Sequence, residues 1–124
     1  MDSASGRAAW LRGHEAEERV AEALLRSGVD LLARNWRGGG GELDLVVRRA
    51  GKVRFVEVKA RTDDTIDPLE SIGPAKRGKL ISAARAWLLA FAPDVDEVAF
   101  LVAVVDCRTE PWSIAWIDDA FDAG

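Results

Sequence analysis

Two short segments carry charge where an apolar strand would otherwise run: Gly41-Glu42-Leu43-Asp44-Leu45 and Val56-Glu57-Val58-Lys59. Segments 42–48 and 53–59 are joined around Ala50-Gly51, a short link between β-rich runs that reads as a hairpin. A tight loop there sets Arg49 opposite Lys52. Stepping back along both strands then sets Asp44 opposite Glu57 and Glu42 opposite Lys59. Because side chains alternate along a strand, all four would project from one face, leaving Leu43, Leu45, Val47, Val56 and Val58 on the other as the core. A three-residue loop with a bulge would shift this register by one.

Facing carboxylates stand roughly 4.5–5.5 Å apart at Cβ and repel each other. A hard divalent cation such as Mg²⁺ or Mn²⁺ removes the repulsion, because it takes a few carboxylate oxygens and completes its shell with water and phosphate. Lys59 would reach the same site, where it could position or deprotonate a water, or balance charge on a phosphate. The chain has one histidine, His14, and one cysteine, Cys107. Disulfides, cysteine zinc clusters and two-histidine chemistry are therefore excluded, and catalysis must rest on Asp, Glu, Lys, Arg, Ser or Thr. A metal, an adjacent lysine and no second histidine together suggest phosphodiester hydrolysis by a metal-activated water. The competing reading is a solvated strand face on which Glu42 and Lys59 form an ordinary cross-strand ion pair.

The elements that would position these residues are legible from periodicity. A helix is expected over 8–26, with Trp10, Leu11, Val20, Ala21, Leu24 and Leu25 as its apolar stripe and Ser27-Gly28 as its stop. A short strand follows over 31–36. Gly38-Gly39-Gly40-Gly41 is expected to form a mobile flap beside the acidic face. After the hairpin comes a polar loop over 62–73. A second helix spans 74–90, with proline in its first turn and Leu80, Ile81, Ala84, Trp87 and Leu88 as its buried stripe. Strands over 97–105 and 113–117 complete the order α-β-β-β-α-β-β. The fold class is α/β: one mixed central sheet with helices packed on it, a single domain over 1–124 with 1–7 disordered.

With 124 residues, 48% hydrophobic and 31% charged, the chain has the make-up of a globular domain able to build its own core. The longest apolar run, 98–105, is well short of the roughly 18 residues of a membrane-spanning helix. The first residues show no secretory signal, so a cytoplasmic location away from membranes is expected. Net charge is −4 but unevenly spread: 32–61 has eight basic and three acidic residues, and 94–124 has one basic and eight acidic. Arg34, Arg37 and Arg61 could contact phosphates, and Trp36 could stack on a base. Equally, the arginines could be solvated and Trp36 could belong to the core. The acidic end could instead contact a basic protein partner. His14 reads as a surface or helix-packing residue, and Cys107 as inert.

At Leu32-Ala33-Arg34-Asn35-Trp36-Arg37, Gly41-Glu42-Leu43-Asp44-Leu45-Val46 and Phe55-Val56-Glu57-Val58-Lys59-Ala60-Arg61 the chain resembles the YraN-like family. These small bacterial proteins are described as predicted endonucleases of the PD-(D/E)XK superfamily, related to archaeal Holliday-junction resolvases. Weaker parts of the resemblance are Gly13 with Glu17, Lys76 with Lys79-Leu80, and Trp116-Ile117 with Asp119-Ala120-Phe121. The resemblance implies a restriction-endonuclease-like fold. It makes Asp44 and Glu57 metal ligands together with the backbone carbonyl of Val58, Lys59 the catalytic lysine, and Glu17 a supporting acid of the site. Lys76 joins the nucleic-acid contacts. The implied activity is Mg²⁺- or Mn²⁺-dependent cleavage of DNA rather than RNA, with branched or structured DNA as the substrate form. A homodimer would match the paired sites of resolvases. Two positions depart from the family pattern: Leu101 stands where an aspartate is usual, and Arg77 where a glutamine is common. Leu101 and the net negative charge motivate the alternative of an inactive nucleic-acid-binding module of the same fold.

Overall fold

A computed structural model describes residues 3–65, 67–91 and 93–121. Seven elements follow in chain order: α1 (Ser3–Arg26), β1 (Asp30–Gly38), β2 (Gly41–Arg49), β3 (Lys52–Arg61), α2 (Pro74–Phe91), β4 (Glu97–Asp106) and β5 (Ser113–Ile117). The strands form one sheet in the order β1-β2-β3-β4-β5. Only β3 and β4 run parallel, and α2 is the crossover that a parallel pair requires. This is the α/β, restriction-endonuclease-like arrangement expected from the sequence. The first helix starts earlier than its apolar periodicity marks. Residues 3–7, expected to be disordered, lie within α1, and residues 1 and 2 fall outside the described residues. Among the described residues no helix is long and apolar enough to cross a membrane.

Both faces of the sheet are covered, which corrects the expectation of a single apolar face. Under α1, the residues Ala16, Val20, Ala21 and Leu24 pack on Leu45, Val47, Val56, Leu101, Ala103 and Val105. Under α2, Leu80, Ala83, Ala84 and Trp87 pack on Leu43, Val46, Val53, Phe55, Phe100 and Val102. The continuous apolar run of β4 is what a strand buried on both sides needs. Leu43 therefore sits on the side opposite Leu45, and simple alternation breaks at Asp44. The neighbouring strand breaks with it. Ala33 pairs with Val46 and Trp36 with Leu43, so Asn35 lies opposite Asp44, and Asn35 has a left-handed φ of 48°. Both strands turn over by one residue at the same place.

Trp36 belongs to the second core. It packs against the α2 cluster, meets Phe91 edge-on at a centroid distance of 6.3 Å, and lies over Gly38 so closely that a Cβ there would collide with its ring. Trp36 thus takes the packing position that was the other reading of this residue. The glycine run is equally fixed. Gly39 and Gly40 have φ of 60° and 82°, both positive as a two-residue type I′ hairpin turn demands. The Ser82 hydroxyl donates to the Gly39 carbonyl. A Cβ at Gly39 would strike the Ser82 carbonyl, and one at Gly41 the Lys79 carbonyl. The expected flap is instead a turn clamped on α2, glycine-rich because backbone meets backbone.

The charge asymmetry is largely spent inside the fold. The acidic end is not a tail: it forms β4 and β5. Its Glu97 pairs with Lys52 at 3.3 Å and its Asp118 with Arg54 at 3.0 Å. Arg48 donates to the Asp94 carbonyl and Arg34 to Glu18 on α1.

The clamp sets an ordering among the glycines. Gly39→Val is expected to lower stability by about 2 kcal/mol or more, because it adds a positive-φ penalty to a backbone collision. Gly40→Asn is expected to change it by less than about 1 kcal/mol, since nothing lies within 4 Å of its Cβ position and Asn tolerates left-handed φ. Urea unfolding of the two variants measures both; equal losses would mean that the turn is not clamped.

Candidate functional site

The ladder between β2 and β3 starts at Arg49↔Lys52, as the tight loop predicts, and its register ends at Leu45↔Val56. The next step is taken by a side chain. The backbone N–H of Val58 donates to Asp44 Oδ2 at 2.8 Å. A residue's N–H and C=O leave a strand on the same side, so the Val58 carbonyl faces the same opening. Glu42, expected opposite Lys59, instead stands across from Arg37 of β1, 3.6 Å from its guanidinium.

Glu57 is the one buried charged side chain among the described residues, with 6% of its surface exposed. Its two oxygens have different surroundings. Oε1 lies 3.9 Å from Lys59 Nζ and 3.6 Å from Lys76 Nζ, whereas Oε2 is buried with no hydrogen-bond partner among the described residues. Glu17 Oε1 is orphaned in the same way. Burial pushes the Glu57 carboxyl up to about 7, and the Asp44 charge, with a close carboxyl–carboxyl contact to Asp44, adds to that. Lys76 and Lys59 oppose it. Asp44 is raised mainly by burial, against the Val58 N–H that favours its charged form. Glu17 is raised by burial, then by Asp44 and Glu42. Three acids that the fold would prefer to protonate line one place.

Asp44, Glu57, Val58 and Glu17 share an open cleft of about 290 Å³ with Ala9, Trp10, Gly13 and His14 of α1. Among the described residues no three His, Cys, Asp or Glu side chains converge as a ready-made metal cage. What the cleft offers is two carboxylates, a strand carbonyl and a third acid nearby, all oxygen. Orphaned buried oxygens on an all-oxygen donor set fit a hard cation that keeps several waters, as Mg²⁺ does. Lys59 also lines a second hollow with Arg61, Thr62, Thr65 and Ser71. Lys76 borders a shallow groove with Arg37, the glycine turn and Lys79. Of the expected contact residues, Arg61 lines the hollow that Lys59 borders and Arg37 the groove that Lys76 borders, whereas Arg34 is engaged with Glu18. Leu101 lies under α1 in the apolar core and is not among the residues lining the carboxylate cleft.

Sequence reasoning placed Lys76 among outer contacts and missed its approach to Glu57. A signal was present: the first turn of α2 contains Lys76 and Arg77 and no acid, against the helix dipole, which favours anions there. Trp10 and His14 were also missed as cleft residues.

A model of the uncharacterised protein family UPF0102 matches residues 16–111. A UPF0102 protein of Nitratidesulfovibrio vulgaris (strain DP4) is 38% identical over 111 residues, covering 89% of this chain and 83% of its own length. One from Paracidovorax citrulli (strain AAC00-1) is 40% identical over 117 residues, covering 90% and 83%. One from Bradyrhizobium sp. (strain ORS 278) is 38% identical over 117 residues, covering 94% and 80%. The matched stretch contains every carboxylate of the cleft and both lysines.

The raised Glu57 carboxyl fixes the direction of a pH effect. Its stabilising contribution is complete below the unfolded value near 4.5 and is lost as pH rises through about 7. In EDTA, stability is expected to fall between pH 5 and pH 8 by an amount on the order of 3 kcal/mol. Glu57→Gln should flatten that fall, and millimolar Mg²⁺ or Mn²⁺ should reverse it at pH 8. Asp118 and Asp106, lowered by Arg54 and Arg108, lose their contributions at more acid pH and do not mask the effect. Thermal unfolding across this range tests it; a midpoint that stays flat or rises would contradict the burial argument.

Proposed function

The chain belongs to the UPF0102 family, and for this member of it we propose a divalent-metal-dependent nuclease that hydrolyses phosphodiester bonds of DNA rather than RNA. The observation that carries the reading is Glu57: a buried carboxylate with one orphaned oxygen, beside Asp44 at the point where two strands separate, and flanked by two lysines. A structural role alone gives no reason to gather Glu57, Asp44 and Glu17 in one cleft, where each is pushed toward its neutral form by burial and by a neighbouring acid. The preference for DNA, and for branched or structured DNA, rests on the resemblance to resolvase-related nucleases.

Asp44, Glu57 and the Val58 carbonyl would hold Mg²⁺ or Mn²⁺, with Glu17 supporting them through a bound water. The ion supplies positive charge to the scissile phosphate and makes a water more acidic. Lys59 offers ammonium donors from the other side of Glu57, where they can hold the attacking water or a non-bridging phosphate oxygen. Lys76 neutralises the same carboxylate and can meet the next phosphate along the strand. Hydrolysis forms a bond from the water oxygen to phosphorus and breaks the bond to one ester oxygen, which leaves with a proton. Arg37, Lys79 and the backbone of the glycine turn on one side, and Arg61 with Thr62 and Thr65 on the other, extend the cationic surface in both directions.

The binding-module alternative was motivated in part by Leu101, and that residue's place in the core leaves the carboxylates intact. The deciding assay offers four-way junction, flap, linear duplex and single-stranded DNA, and RNA, with Mg²⁺, Mn²⁺ or EDTA. Metal-dependent product is expected from the wild type. Glu57→Ala and Asp44→Ala should each lose about 100-fold or more, and Lys59→Ala about 100-fold. Equal cleavage by wild type and Glu57→Ala would sink the assignment, and binding without product under any condition would favour the module.

A further inference from the structure

α1 continues past the sheet it packs on. Trp10, His14, Glu17, Ala21 and Leu24 recur at alternating steps of four and three, so they form one stripe along the helix. Ala21 and Leu24 are buried on the sheet, and Glu17 passes the carboxylates. Trp10 lies beyond, 66% exposed. A tryptophan therefore occupies a core-type position at which the sheet has already opened. Its ring is nonetheless held: the His14 imidazole stacks on it at a centroid distance of 5.3 Å and an interplanar angle of 5°. Gly13, one step away, leaves open space, with nothing within 4 Å of a Cβ placed there. All three border the cleft of Asp44 and Glu57.

We infer that the Trp10–His14 pair is a stacking platform for an unpaired nucleobase next to the phosphate at the carboxylates. The inference rests on the nuclease reading and narrows its substrate to nucleic acid with an unstacked nucleotide at the site, single-stranded or branched. In an intact duplex both faces of each base are covered by its neighbours, and only edges and phosphates are offered to a protein. A flat, rigid, exposed indole gains little from those. An unstacked base presents its whole face, and stacking on tryptophan is tolerant of base identity. The occupant follows from position: whatever lies on Trp10 lies in the same cleft as a phosphate at the acids, and a nucleotide joins base to phosphate at that range. A second copy of this chain over Trp10 would close the cleft instead of filling it.

The test is fluorescence anisotropy in EDTA, where turnover does not intrude. The probes are a labelled single-stranded oligonucleotide, a duplex with a single-stranded flap, and a blunt duplex. Wild type, Trp10→Ala and Trp10→Phe are compared. Alanine is a strong helix former at an exposed position, and circular dichroism confirms an unchanged fold. Trp10→Ala is expected to bind the single strand and the flap roughly tenfold more weakly. Trp10→Phe should stay within about threefold of wild type, and the blunt duplex should change by less than about twofold. Equal affinity of Trp10→Ala and wild type for all three probes overturns the platform, as does an equal loss on all three. A change in sedimentation of Trp10→Ala without a change in affinity overturns it in favour of a protein contact. Wild-type binding or cleavage that ignores Trp10 defeats the platform alone. A wild type that binds none of the probes and gives no metal-dependent product in the cleavage assay defeats the nuclease reading with it.

Discussion

The hydrogen bond from the Val58 N–H to the Asp44 carboxylate decides how β2 and β3 part. An antiparallel ladder would continue by giving Val58 a backbone partner on β2, and the carboxylate supplies the acceptor instead. One bond therefore does three things. It satisfies a strand donor that the opening would orphan, fixes Asp44 against β3, and leaves the Val58 carbonyl on the side of the opening. The turn-over of both strands at Asn35 and Asp44 is the counterpart in β1. It sends Leu43 and Trp36 to the α2 side while Asp44 joins α1 at the cleft. Asparagine suits the left-handed φ of 48° at position 35 because its short polar side chain tolerates that region.

The cost of this arrangement is electrostatic and is met by one lysine of β3 and one of α2. Three acids with raised proton affinity gather where β2 leaves β3, and α2 brings Lys76 in its first turn to the same oxygen that Lys59 approaches. A cation at a helix N-terminus loses a few tenths of a kcal/mol to about 1 kcal/mol against the dipole. Proximity to a buried carboxylate is worth more than that in a partly dry site. The glycine turn serves the same geometry from another side. Only glycines let the β1–β2 hairpin lie directly on the α2 backbone, and that contact helps fix where Lys76 and Lys79 stand relative to Arg37.

Much of this was legible from sequence wherever local rules operate without competition. The Ala50-Gly51 loop fixes Arg49 against Lys52, and the register holds down to Leu45 and Val56. It fails one residue later, because alternation presumes a ladder that continues and Asp44 ends it. The single-face core failed for a related reason. With β2 and β3 inside a sheet covered on both sides, Val46 and Phe55 are as buried as Leu45 and Val56, and Asp44 and Glu57 stood out as the breaks in otherwise apolar strands. The approach of Lys76 and the overhang of Trp10 depend on where helices dock, which periodicity does not specify. Helical spacing puts Trp10, His14 and Glu17 on one stripe, a relation that the apolar periodicity did not bring out, and it does not tell that the sheet stops beneath them.

Charge compensation inside the fold limits how a polyanion can be recognised. Lys52 and Arg54 are paired with Glu97 and Asp118, and Arg48 and Arg49 are turned onto backbone carbonyls. The basic surplus of the hairpin region is thus consumed where β3 meets the acidic β4 and β5. The cations that reach Glu57 are Lys59 and Lys76. A protein of net charge −4 cannot hold nucleic acid through a broad positive surface, and few phosphates can be neutralised at once. Recognition would then come from contacts at the cleft, which carboxylates, a strand carbonyl and an exposed aromatic ring line together. Such a site discriminates by the local shape of the chain it receives more than by its length.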